Sequence, residues 1–99
     1  MKARLVLFSP KAERQLQSLF RYISKSSSPR IAASYVNSIR EHCDGLGLSP
    51  HRGEDMGDRK PGLRTVGFDR SATIAFRILP EVVLIAGIFY RGRNVRAHL

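Results

Sequence analysis

Guanidinium groups are the chemical resource this chain holds in excess. Between residues 59 and 99 stand Arg59, Lys60, Arg64, Arg70, Arg77, Arg91, Arg93 and Arg96 against only Asp69 and Glu81. Over the whole chain 17 Lys and Arg face 8 Asp and Glu, a net charge of +9 that draws it toward anionic partners. Arg64 and Arg77 fall in strand-like segments expected to be hairpin neighbours. That reading puts both side chains near each other on one sheet face, where like charges need an anion or a carboxylate to compensate. The plain alternative is two solvent-facing sheet residues. The last stretch, Arg91-Gly92-Arg93-Asn94-Val95-Arg96-Ala97-His98-Leu99, carries three arginines and no acid. It reads either as an exposed cationic strap or as a terminus kept polar for solubility.

Other chemistries lack their parts. Cys43 falls on the apolar face of an expected helix, where a thiol behaves as a small hydrophobe. The serines are mostly helix caps and loop members, with none in a Gly-x-Ser-x-Gly setting. His42, His51 and His98 are too widely spaced for a metal motif, and Glu54, Asp55 and Asp58 lack the ligand alternation of a calcium loop. Those acids read as counter-charge to Arg52, Arg59 and Lys60. There is no Gly-x-x-x-x-Gly-Lys loop to cradle a nucleotide phosphate. Neither a metal nor a cofactor is expected.

These side chains need a scaffold. Ninety-nine residues with 42% apolar content suffice for one modest core, so residues 1–99 read as a single domain. The longest apolar stretch, residues 82–88, is far shorter than the roughly 20 residues of a membrane span. The apolar run before Ser9-Pro10 is too brief for a secretory signal, and one cysteine cannot staple the fold. A cytoplasmic protein held together by packing is the consistent expectation.

Residues 2–8 lean toward a strand. Ser9 then offers a cap and Pro10 a first helical position, followed by an apolar stripe at Ala12, Leu16, Leu19 and Ile23. Lys11, Arg14, Gln15, Gln17 and Arg21 occupy the other side. Ser28 and Pro29 repeat the start signal for a second helix, whose Ala32, Tyr35, Val36, Ile39, Cys43 and Leu46 share a face. It is expected to end near Leu46, with Gly47 in the left-handed conformation. Residues 48–62 read as a loop, long enough to suspect a role. Three strands follow at 63–68, 72–79 and 82–90, joined by turns at Asp69-Arg70-Ser71 and Pro80-Glu81. Residues 82–88 are apolar on both parities, which places that strand inside the sheet. The order is β-α-α-β-β-β: an α+β fold with a helical hairpin on one face of a mainly antiparallel four-stranded sheet. The pattern does not choose a neighbour for the first strand.

Several strings together resemble one family. They are Ser9-Pro10-Lys11-Ala12, the Tyr22-Ile23 pair before a serine/proline break, residues 33–39, and Pro50 with Gly53. Asp58 ahead of Pro61-Gly62-Leu63-Arg64, and the ending from Ile88-Phe89-Tyr90 to Val95-Arg96-Ala97-His98-Leu99, complete the set. Over nearly the whole chain the sequence resembles the ParE toxins of the RelE/ParE superfamily of type II toxin–antitoxin systems.

The resemblance implies the same β-α-α-β-β-β fold and a cytoplasmic bacterial toxin neutralised by a ParD-like antitoxin in a hetero-oligomeric complex. ParE toxins poison DNA gyrase, whereas the RelE branch cuts messenger RNA on the ribosome, and a shared scaffold does not choose between them. RNA cleavage needs a proton acceptor or donor at the 2′-hydroxyl and cations on the scissile phosphate. Arg64 and Arg77 match two arginine positions of the RelE set. At the position of the late RelE tyrosine stands Arg96, a poor proton acceptor. Tyr90 replaces a histidine more usual in ParE endings.

The expectation is therefore a non-catalytic toxin that binds gyrase through Arg64, Arg77, Arg91, Arg93, Asn94, Arg96 and His98. The alternative is a RelE-like ribosome-dependent endoribonuclease. No sequence-specific DNA binding by the toxin alone is expected. Its acidic, partly disordered antitoxin would lay a helix beside the helical hairpin and add a strand to an open sheet edge, with Leu16, Phe20 and Tyr35 as apolar contacts.

Overall fold

Ser9 sets the geometry of the N-terminal third. Its hydroxyl accepts from the Ala12 amide at 3.0 Å, capping the first helix, and donates to the Ala86 carbonyl at 3.1 Å, fastening that cap to the last strand. In the computed structural model, which describes residues 3–90, the chain runs β1 (Leu5–Phe8), α1 (Pro10–Ser26), α2 (Pro29–Gly45), β2 (Glu54–Asp55), β3 (Leu63–Phe68), β4 (Ala72–Ile78) and β5 (Val82–Tyr90). Ser28 repeats the device for α2, accepting from Ile31 at 3.1 Å ahead of Pro29.

The strands form one sheet in the order β1-β5-β4-β3-β2. β1 runs parallel to β5, pairing Leu5 with Val82 through Phe8 with Ile85, and all other pairings are antiparallel. β5 is thus an interior strand, as its unbroken apolar run requires. Among the described residues the sheet has five strands where the sequence pattern suggested four. The addition is Glu54–Asp55, paired with Thr65 and Arg64, inside the segment read as a loop. Two residues are too short to show a period. What admits them is Gly53 at φ +73°, where a Cβ would collide with the backbone of Thr65.

The two helices cover one face. Ala12, Leu16, Leu19 and Ile23 of α1 and Ala32, Val36, Ile39 and Cys43 of α2 meet Ile74, Phe76, Val83, Ile85 and Ile88. Ala75 pairs with Gly87 but Phe76 with Ile85, leaving Ala86 as the extra residue of a β-bulge. The bulge lets Ile85 and Ile88, three positions apart, both face the helices. A smaller cluster of Leu63, Ala75 and Phe89, with Met56 packed against it, lies on the other face.

Gly47 corrects one expectation. Helix α2 ends at Gly45 with Leu46 in right-handed geometry, and Gly47 is not among the positive-φ residues. Its role is close approach: a Cβ there would run into the Arg4 carbonyl of the strand beside it. The Arg4 amide donates to the Gly47 carbonyl at 2.8 Å.

The β3–β4 turn stores strain. Asp69 and Arg70 both have positive φ, 49° and 55°, at the first two positions of the three-residue connection between Phe68 and Ala72, a left-handed geometry that normally takes Asn-Gly. Asp adopts this conformation at lower cost than Arg. Arg70→Gly is expected to raise stability by about 1 kcal/mol in urea denaturation. A loss of stability would show that the Arg70 side chain contributes more than its backbone costs.

Glu13 and Arg40 tie the two helices through a double hydrogen bond, 2.9 Å on each arm, with Arg40 lying 5.1 Å from the Phe8 ring centre. These hydrogen bonds hold the Glu13 carboxyl below its ordinary value of 4.5. Because the folded value is the depressed one, the pair stabilises above that ordinary value, and the contribution is lost as pH falls through the lower folded value. Acid titration of stability should therefore separate the wild-type protein from Glu13→Gln near neutral pH and bring them together in acid. Both side chains are 39% exposed, so the separation should not exceed about 1 kcal/mol.

Candidate functional site

The register separates the two arginines that the sequence placed together. Leu63 pairs with Arg77, and Arg64 with Phe76, so Arg64 and Arg77 belong to opposite faces of the sheet. Each holds backbone of the β2-containing loop. Arg64 donates from Nε to the Arg52 carbonyl at 3.2 Å and from Nη2 to the Gly53 carbonyl at 3.4 Å, and its Nη1 lies 3.9 Å from Asp55. Arg77 donates from Nη1 to the Pro61 carbonyl at 2.9 Å. Carbonyl oxygens and one carboxylate engage the two guanidiniums, where the sequence reading expected an anion or a carboxylate. Asp55 in turn accepts from the Gly57 amide at 2.7 Å, closing the turn into the short 3₁₀ segment Gly57–Arg59. The acidic loop was expected to counter Arg52, Arg59 and Lys60; the ion pair that Asp55 makes is with Arg64.

Arg91, Arg93, Asn94, Arg96 and His98 lie outside the described residues. Among the residues considered for antitoxin contact, Leu16 is 1% exposed and belongs to the core, whereas Phe20 and Tyr35 are half-buried at its margin. The Tyr35 hydroxyl is engaged with the Ser71 hydroxyl across the helix–sheet boundary. Burial pushes the Cys43 thiol up to about 12, so it stays protonated and unreactive at neutral pH.

The sequence reading missed a groove of about 520 Å³ between α1 and the C-terminal half of β5. Leu19 and Ile88 form its apolar floor; Lys11, Arg14, Gln15, Ser18, Tyr22 and Tyr90 form its walls. Gln15 carries the signal that could have revealed it. Three residues after Ala12 and four before Leu19, it sits in the buried stripe, where a polar side chain needs a partner. That partner is the Ile88 amide, which donates to Gln15 Oε1 at 2.7 Å. At the rim the rings of Tyr22 and Tyr90 lie 5.9 Å apart. The aromatic row continues from Tyr90 to Tyr35 at 5.7 Å, Phe68 at 5.6 Å and His42 at 5.4 Å.

Residues 6–95 match the family model described as the ParE toxin of the type II toxin–antitoxin system, parDE. The chain belongs to the ParE toxin family. Its fold is shared with a chain of the chromosomal ParDE toxin–antitoxin system from P. aeruginosa, at a TM-score of 0.78 and 21% identity, over 89% of this chain and 96% of that one. It is shared also with a chain of the toxin–antitoxin complex RelBE2 from Mycobacterium tuberculosis, at a TM-score of 0.69 and 22% identity, over 91% and 100%. No curated protein matches. The chain is thus a ParE-family toxin of a type II system, built on a scaffold found in both ParDE and RelBE assemblies. Among the described residues, no helix of this ParE-family chain is long and apolar enough to cross a membrane.

Proposed function

We propose that this ParE-family toxin arrests growth by binding and poisoning DNA gyrase without cutting a substrate itself. The observation that supports this reading is the diversion of Arg64 and Arg77. A nuclease of the RelE type needs its cations gathered on one scissile phosphate beside a proton acceptor. Here the two guanidiniums stand on opposite sheet faces, and each is bonded to loop carbonyls. The surface offered to gyrase is then the basic stretch of Arg91, Arg93, Asn94, Arg96 and His98, with Arg77 contributing from the sheet. Arg77 spends one of its five donors on Pro61.

The deciding experiment assays purified gyrase supercoiling beside translation-dependent cleavage of messenger RNA. Loss of supercoiling with intact transcripts is the expected result. Transcripts cut at the ribosome with supercoiling unaffected would overturn the reading in favour of the endoribonuclease.

Neutralisation falls to an acidic, ParD-like antitoxin in the same reading. β1 forms one outer edge of the sheet, with Leu5 and Leu7 exposed, and can accept an added strand. A partner helix would lie along the hairpin near Phe20 and Tyr35. Phe20→Ala is expected to weaken the complex by about tenfold or more, read by titration calorimetry, with a smaller relative change in the melting temperature of free toxin. Unchanged affinity would remove Phe20 from the interface.

A further inference from the structure

We propose that the groove between α1 and the end of β5 is a binding site for single-stranded nucleic acid. It would stack a base on Tyr22 and hold the phosphate backbone with Lys11 and Arg14. The site is built from residues up to Tyr90 and does not depend on gyrase being the target.

The argument begins with the β5 backbone. β1 ends at Phe8, opposite Ile85, so among the described residues the rest of β5 on that side has no strand neighbour. An edge of this kind ordinarily invites an added strand. Here side chains close it: Ser9 donates its hydroxyl to the Ala86 carbonyl, and Gln15 accepts the Ile88 amide. A peptide strand would have to displace both. Recognition in this groove therefore rests on side chains.

Those side chains have a definite chemistry. Lys11, Arg14, Ser18 and Tyr22 follow one another at helical spacing along α1, over about 16 Å of helix. Among the described residues no acidic side chain lines the groove. Lys11 Nζ sits 5.4 Å from the Phe89 ring centre, placing its charge at one end. At the other end Tyr22 is 59% exposed, although its neighbour in sequence, Ile23, is only 7% exposed. An aromatic ring in solvent, in line with two cations and a hydroxyl above an apolar floor, suits a base on the ring and phosphates on the cations. An acidic peptide would use the cations but would make no use of the face of Tyr22 that its contact with Tyr90 leaves exposed.

The test measures fluorescence anisotropy of a labelled oligothymidylate of about twelve nucleotides, titrated with the full chain between about 50 and 200 mM salt. The wild-type chain should bind with a steep salt dependence. The double variant Lys11→Gln/Arg14→Gln should weaken binding by roughly tenfold or more and reduce the salt slope by about two. Tyr22→Leu should weaken it by roughly tenfold, whereas Tyr22→Phe, which keeps the ring, should retain it. Arg30→Gln, a change on α2 away from the groove, should stay within about twofold of wild type. Arg14 and Tyr22 are exposed, so these variants are expected to fold, and thermal melting checks this.

Failure of the wild-type chain to bind, or unchanged binding by Tyr22→Leu, overturns the proposal. So does a loss in Arg30→Gln equal to that of the double variant, which would reduce the effect to net charge. Tighter binding of a glutamate-rich peptide of matched charge, with the same residue dependence, would make the groove a peptide site and likewise overturn it. Oligonucleotide binding without gyrase inhibition, or the reverse, separates this proposal from the one above.

Discussion

Replacing Arg91, Arg93 and Arg96 together by glutamate is expected to abolish growth arrest and gyrase inhibition while leaving the melting temperature of the toxin within a few degrees of wild type. Three reversals change the net charge by six units in a chain that carries +9. Hydrogen bonds to charged groups contribute about 1.5–3 kcal/mol each, and repulsion from an anionic target adds to their loss. An affinity decrease on the order of a thousandfold follows. It should appear first in the association rate, since charge at the rim of an interface steers encounter. The measurement is gyrase supercoiling across a toxin titration, with antitoxin binding as the control. Retained poisoning would mean that another surface contacts the target.

Arg64 and Arg77 provide the contrast. Their guanidiniums hold the loop around β2, so Arg64→Ala or Arg77→Ala should loosen that segment. Any loss of toxicity in those variants belongs partly to folding. For this reason the three arginines beyond Tyr90 are the cleaner probe.

The second large effect is on stability. Phe76 is fully buried at the centre of β4, between Arg64 on β3 and Ile85 on β5, and its side chain faces both helices. Phe76→Ala removes an aromatic ring from a site whose neighbours are fixed on three sides, so little collapse can refill the space. A loss of about 3–5 kcal/mol is expected, against a total of about 5–15 kcal/mol for a small domain. In a chain of this size that lowers the melting temperature by roughly 15–30 °C. Urea denaturation should show the midpoint falling with little change in slope. A loss below about 1 kcal/mol would contradict the packing described here.

The helices were legible because each announces itself twice, by a Ser-Pro start and by an apolar stripe. The antiparallel part of the sheet was legible for a similar reason: its strands are bracketed by turn residues. β1 was different, since a short apolar run does not specify its neighbour. Its parallel pairing with β5 depends on where the two helices return the chain. β2 was hidden by its length, and Gly47 was misread because a glycine after a helix has two common uses, a left-handed cap and a close approach. The site was harder. The expected turn already set Phe68 opposite Ala72, and carrying that register down the ladder puts Arg77 opposite Leu63. Arg64 is one step further along, and one step is a change of face. The groove escaped notice because Lys11, Arg14 and Gln15 all read as solvent-facing polar residues. Only the end of β1 at Phe8 gives Gln15 an amide to hold.

The parallel ladder of β1 on β5 also governs when this toxin can become dangerous. Leu5–Phe8 leaves the ribosome well before its hydrogen-bonding partner, residues 82–85, has been made. Until then β5, an interior strand of the sheet, does not exist, and the helical hairpin has no complete surface to pack on. At about 5–20 residues per second the nascent chain spends several seconds in this unfinished state. A fold wired in this way is completed only after residues 82–85 have emerged, and in the reading proposed above that delay is an interval in which an antitoxin already present can meet the chain.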